Sequence, residues 1–218
     1  MPDRPPRPRA GPAPASTRQL LAWAVYDAAA TPFFVVIVTF VFAAYFTQAV
    51  AEDPISGTAV WGFTMALSGL LIAVASPILG AIGDAGGRRK PWLAGFTGLA
   101  VVTIALLWLV EPDPSFMLLA LVLVFLANTA IELGQTFYNA MLPDLADRRA
   151  LGRWSGWGWS LSYPAGIAAL VLLLVGFIQR PVPPFGLDPK AAEPVRAAGP
   201  VIALWLAGSL ALAALVTQ

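Results

Sequence analysis

The chain has 218 residues, of which 58% are hydrophobic and 11% charged, and its formal net charge is +1. A soluble domain carries roughly 25% charged residues, so this chain cannot coat a water-soluble globule, and its composition assigns it to the lipid bilayer. The lack of Cys and His excludes disulfides, thiol catalysis, cysteine-ligated metals and the usual near-neutral general base. No cofactor and no nucleic-acid partner is expected.

Residues 1–19, MPDRPPRPRAGPAPASTRQ, are rich in Pro and Arg without apolar periodicity and read as a disordered tail. The apolar run that follows is longer than the 7–15 residues of a signal-peptide core. A spanning helix needs about 20 mostly apolar residues, and six stretches qualify: 20–49, 58–82, 92–110, 115–142, 156–178 and 199–217. Between them lie AEDPISG, DAGGRRKP, EPDPS, PDLADRRALGR and a proline-rich link, residues 179–199. Prolines at 32, 77 and 164 kink three spans, as a moving bundle would use, although membrane helices carry proline in any case. Gly152, Gly156, Gly158 and Gly166 suit close helix packing, and Trp154, Trp157 and Trp159 suit an interfacial anchor.

Basic residues set the orientation, because Lys and Arg gather on the cytoplasmic side. They occur in the tail, in loop 2–3 (Arg88, Arg89, Lys90) and in loop 4–5 (Arg148, Arg149, Arg153), all on one side of a six-span chain. Loop 5–6 dissents with Arg180, Lys190 and Arg196. Both termini are expected inside, as in a bacterial inner-membrane protein.

Two acids fall within spans, Asp27 and Glu132, where a central charge costs about 2.5–3.5 kcal/mol on insertion scales. Asp27 lies about 10 Å into its span at 1.5 Å per residue; it either reaches interfacial water or faces the bundle interior. Glu132 lies deeper, about 15 Å from the same side. It belongs to a stripe with Asn128, Gln135 and Asn139 whose spacing of 4, 3 and 4 puts all four on one helix face. Such a stripe suits a hydrogen-bonded helix seam or the wall of a water-filled cavity. Four long or ionisable side chains in succession favour the cavity. A carboxylate there can hold a proton when dry and release it when wet, the chemistry of proton coupling.

Loop 2–3 with its flanks reads GAIGDAGGRRKPWL, residues 80–93. It resembles the loop signature of the major facilitator superfamily, G-x-L-A-D-x-x-G-R-[RK]. Gly80, Asp84, Gly87, Arg88 and Arg89 are in register, Ile82 and Gly83 replace Leu and Ala, and Ala85 departs from a basic residue often found there. Segments 23–46, 67–92 and 137–163 resemble the vacuole-effluxer, autophagy-related branch and its bacterial relatives. The resemblance implies an all-α membrane protein whose six helices form two three-helix inverted repeats, the N-terminal half of a facilitator. It implies small-solute transport, with amino-acid efflux the activity attributed to the fungal member. It also implies an inner gate at Gly80, Asp84, Gly87, Arg88 and Arg89.

Facilitators use twelve helices, so the expectation is an N-terminal fragment or truncated frame, or else a native six-helix protein that dimerises. Its partners would be lipid, a small solute, and a C-terminal half or a second copy. A non-transporting membrane scaffold is the alternative function. An enzyme is disfavoured, because the carboxylate pair has no evident nucleophile beside it.

Overall fold

A computed structural model describes residues 16–87 and 89–216, with side chains as far as position 208. Every regular element among them is helical. Helix α1, Thr17–Val50, starts three residues before the expected span because Ser16 and Gln19 form a capping box. The Ser16 N–H donates to the Gln19 side chain at 2.9 Å, and the Gln19 N–H to the Ser16 hydroxyl at 3.3 Å. Residues 16–19 of the tail expected over 1–19 therefore belong to this cap and helix, and residues 1–15 lie outside the described residues.

Beyond Pro32 the winding of α1 widens into π turns over Phe33–Phe40 and again over Phe46–Val50. The Val41 N–H reaches back five residues to the Val36 carbonyl at 2.9 Å, the pattern of a π turn. This widened stretch presses Phe33, Val36, Ile37, Phe46 and Val50 into the core with no exposure.

Helices α2, Pro54–Gly86, and α4, Pro114–Leu145, open in the same way. Asp53 accepts from the N–H groups of Ile55 and Ser56, Asp113 accepts from that of Ser115, and each is followed by Pro, whose missing N–H costs nothing there. Helix α2 ends at Gly87, whose φ of +59° is the left-handed stop that glycine adopts without strain. Helix α3 is Arg89–Leu109 and helix α5 Leu151–Ile178. The proline-rich link forms short turns and one helical turn, Glu193–Arg196, before helix α6, Ala198–Val216.

Helices α1 to α5 are each long and apolar enough to cross a membrane. Helix α3 packs on α4, α1 on α5, α2 on α4, and α6 on both α3 and α1. In α4, 50% of the most apolar window is buried inside the chain, against only 6% in α2. So α1 and α4 form the interior, and α2 and α5 its flanks. Phe63, Leu70 and Val74 of α2 and Ile167 and Val175 of α5 face outward, a surface that suits hydrocarbon.

Two of the four glycines expected to serve packing do so. A Cβ on Gly158 would meet the Trp23 ring at 3.2 Å and one on Gly166 the Val35 side chain at 2.8 Å, so α5 closes on α1 at both. Gly152 and Gly156 face open space, a correction that follows from their position on the exposed start of α5.

Candidate functional site

Helices α1, α4 and α5 diverge around a cavity of about 450 Å³. Its floor is Asp27, half-buried and held by both neighbours: one carboxyl oxygen accepts from Gln135 Nε2 at 3.1 Å, the other from the Ser162 hydroxyl at 2.8 Å. Thr31 donates to the Asp27 carbonyl one turn on, at 3.0 Å. Glu132, also half-buried, lines the same cavity, and no hydrogen bond or ion pair from the described residues reaches its carboxyl. Asn139 lines it from an exposed position nearer the end of α4.

Asp27, Glu132, Gln135 and Asn139 are therefore brought together, and Asn128 is not. Its amide donates to the Ser68 hydroxyl of α2 at 2.9 Å, and Ser68 pairs with Thr129 at 2.8 Å. Thr136 continues this seam to Ser76 at 3.2 Å. The stripe runs straight along α4, but its surroundings change from cavity to α2 at the depth of Asn128. Buried there, the amide takes a protein partner. The single stripe is thus two features, a cavity wall and a helix seam.

Sequence reasoning missed several members of the wall. Tyr138 stacks on Trp23 at 4.5 Å with planes 6° apart, and the Trp23 indole N–H donates to the Tyr138 carbonyl at 3.1 Å. Beside them Tyr26 bonds Thr97 at 2.7 Å. Trp159, expected as an interfacial anchor, lines the cavity with Tyr163, the two rings 5.9 Å apart. Its exposed position on the α1-facing turn of α5 accounts for the difference. A hydroxyl two residues before a proline, as in Ser162 and Pro164, was the available signal for α5.

At the far end of α4, Arg89 ties the α2–α3 turn to the bundle. It bonds Asp84 at 2.6 Å, the Ala140 carbonyl at 2.7 Å, and Asp144. Asp144 escaped the sequence reading because PDLADRR reads as a loop, whereas α4 runs through Pro143 to Leu145. Gly80 is half-buried with only Thr136 near it, Gly87 makes the turn, and Arg88 lies outside the described residues. Gly83 replaces the alanine of the motif because the Phe137 ring stands 2.7 Å from where a Cβ would sit.

A family model described as "Vacuole effluxer Atg22 like" matches residues 49–153, from the end of α1 into α5. That stretch includes Arg89, Glu132, Gln135 and Asp144 but not Asp27 or Ser162. An uncharacterized MFS-type transporter of Bacillus subtilis strain 168, YxiO, is 32% identical over an alignment of 176 residues that covers 76% of this chain and 40% of that protein. The match thus spans less than half the length of that relative. No solved structure matches. The motif at the α2–α3 turn, five bilayer-length helices and these two likenesses make the chain an integral membrane protein that belongs to the MFS-type transporters, in the vacuole-effluxer-like family.

Proposed function

We propose that the chain forms the N-terminal half of a facilitator that exports a small metabolite, such as an amino acid, by alternating access. In this reading α6 completes six spans arranged as two inverted three-helix repeats, with both termini cytoplasmic in a bacterial inner membrane. The cavity between α1, α4 and α5 is the chain's share of the solute path. The observation that carries the reading is that two intramembrane carboxylates, on different helices, line one cavity. Acids at such depth are costly, and they are retained where water or solute reaches them.

The two acids differ in their surroundings. Asp27 has two neutral donors that hold it in place, so it serves as the fixed binding carboxylate. Glu132 has no such tether, so it is the residue that takes and gives up the coupling proton as the cavity changes between wet and dry. Arg89, Asp84 and Asp144, with Gly80, Gly87 and Arg88, form the inner gate that locks the cytoplasmic ends. A second six-helix half, or a second copy, covers the open side of the cavity.

Flux tests this reading in liposomes carrying the chain at densities where crosslinking shows paired copies. Labelled amino acids should leave faster down an imposed proton gradient, and Glu132→Gln should abolish that acceleration. Wild-type flux indifferent to the gradient, or an unchanged gradient response in Glu132→Gln, would remove the proton-coupling role. The unpaired chain should transport nothing.

A further inference from the structure

We propose that this wall of the cavity recognises a primary ammonium group, so that the solute presents a cationic end to α1, α4 and α5. The inference rests on reading the cavity as the solute path and specifies what that path selects. Its charged groups are all of one sign: Asp27 and Glu132 line it, and no Lys or Arg does so among the described residues. The hydrogen bonds that hold Asp27 come from an amide and a hydroxyl. Those donors orient the carboxylate without neutralising it, and each carboxyl oxygen keeps a further lone-pair site. An ammonium, with three N–H donors, complements such acceptors; a ligand carboxylate would meet like charge on both sides.

A second, independent feature points to a ligand. Tyr138 lines the same cavity and is only 2% exposed, yet its hydroxyl has no hydrogen-bond partner among the described residues. Buried hydroxyls are normally paired, and this one keeps an unused acceptor lone pair just beneath a wall that already supplies carboxylates. On the α5 side Trp159 and Tyr163 present tilted rings, 61% exposed each, whose faces attract a cation. Carboxylates, an unpaired phenol and aromatic faces together make a site for an amine. A zwitterionic amino acid would dock by its amino end, leaving its carboxylate for groups outside this wall.

Three probes that share one side chain separate the possibilities: leucine methyl ester, a cation; leucine, a zwitterion; and N-acetyl-leucine, an anion. Each is titrated into the full chain in lipid nanodiscs while tryptophan fluorescence is followed, since Trp23 and Trp159 line the cavity. The ester should bind at least about tenfold tighter than N-acetyl-leucine, with leucine between them. Asp27→Asn and Glu132→Gln should each shrink that preference. Glu132→Gln keeps the test open if Asp27→Asn misfolds, because no described residue depends on the Glu132 carboxyl for a hydrogen bond. Equal binding of the three, a preference for the anion, or an ester preference that survives both substitutions would overturn the ammonium reading and leave the solute path standing. Silence from all three probes would overturn both.

Discussion

Single residues carry more of this fold than their positions in the sequence suggest. Arg196 read as a stray loop cation that contradicted the charge asymmetry of the other loops. It is 6% exposed instead, with Nε and Nη2 donating to the Trp108 carbonyl at 2.9 and 2.6 Å and Nη1 to the Ala191 carbonyl at 3.2 Å. Its guanidinium also lies over the Trp108 ring, 5.1 Å from the centroid. The last carbonyls of α3 lack helical partners, and Arg196 supplies one from the link. Arg196→Met should therefore cost on the order of 2–3 kcal/mol, and Arg196→Lys should recover only part, since an ammonium lacks the planar fork. Thermal unfolding in detergent would show both. Gly83 makes a sharper contrast: Gly83→Ala drives a Cβ into the buried Phe137 ring and should cost about 1–3 kcal/mol, whereas Gly80→Ala should be tolerated. The motif register made Gly80 visible in the sequence. The Gly83–Phe137 fit was not visible, because it depends on a ring 54 positions away that also stacks on Trp92.

At the scale of elements, existence and type were legible and ends were not. A lipid-facing helix must be apolar along its whole length, so six stretches stood out, and five of them fall in helices long and apolar enough to cross a membrane. Helices α1, α2 and α4 start one to four residues before those stretches because polar caps add turns that hydropathy does not count. Asp53 and Asp113 illustrate this and carry a pH signature outside the spans. Each carboxyl is held below its ordinary value of 3.8, Asp53 first by the Ser56 hydroxyl and then its N–H, Asp113 first by the Ser115 hydroxyl and then its N–H. A carboxyl lowered by folding stabilises the fold above its unfolded value, and that contribution is lost as pH falls through the folded one. The double variant Asp53→Ala, Asp113→Ala should thus lose less thermal stability than wild type on acidification from about pH 5 to about pH 3. An identical acid response would show that the caps contribute nothing. The π turns of α1 left no comparable sign: Thr31-Pro32 marked a kink, but a widened turn depends on what presses against it, and here that is α5 and α6 for the first stretch and α2 for the second.

For the whole molecule, the decisive legible fact was two acids in otherwise apolar spans. Their helices run in opposite directions, and the fold places both on one cavity. What the sequence concealed was which neighbour each polar group would meet. Asn128 and Gln135 share a helix face, yet one bonds Ser68 of α2 and the other Asp27 of α1. Pairing between helices is decided by packing order, which no local pattern encodes.

The central claim is that the Glu132 edge of α4 meets water while the exposed apolar residues nearer its start meet lipid, and the absence of native cysteine makes it directly measurable. Single cysteines at Gln135 and Asn139, and at Val122 and Leu126 nearer the start of α4, are introduced into the chain in bilayers and exposed to a charged, membrane-impermeant thiol reagent. Val122, Leu126 and Asn139 are all exposed within the chain itself, so only lipid can separate their reactivity. The account predicts fast labelling at 135 and 139 and negligible labelling at 122 and 126. Equal rates at the two pairs of positions, or faster reaction at 122 and 126, would contradict it.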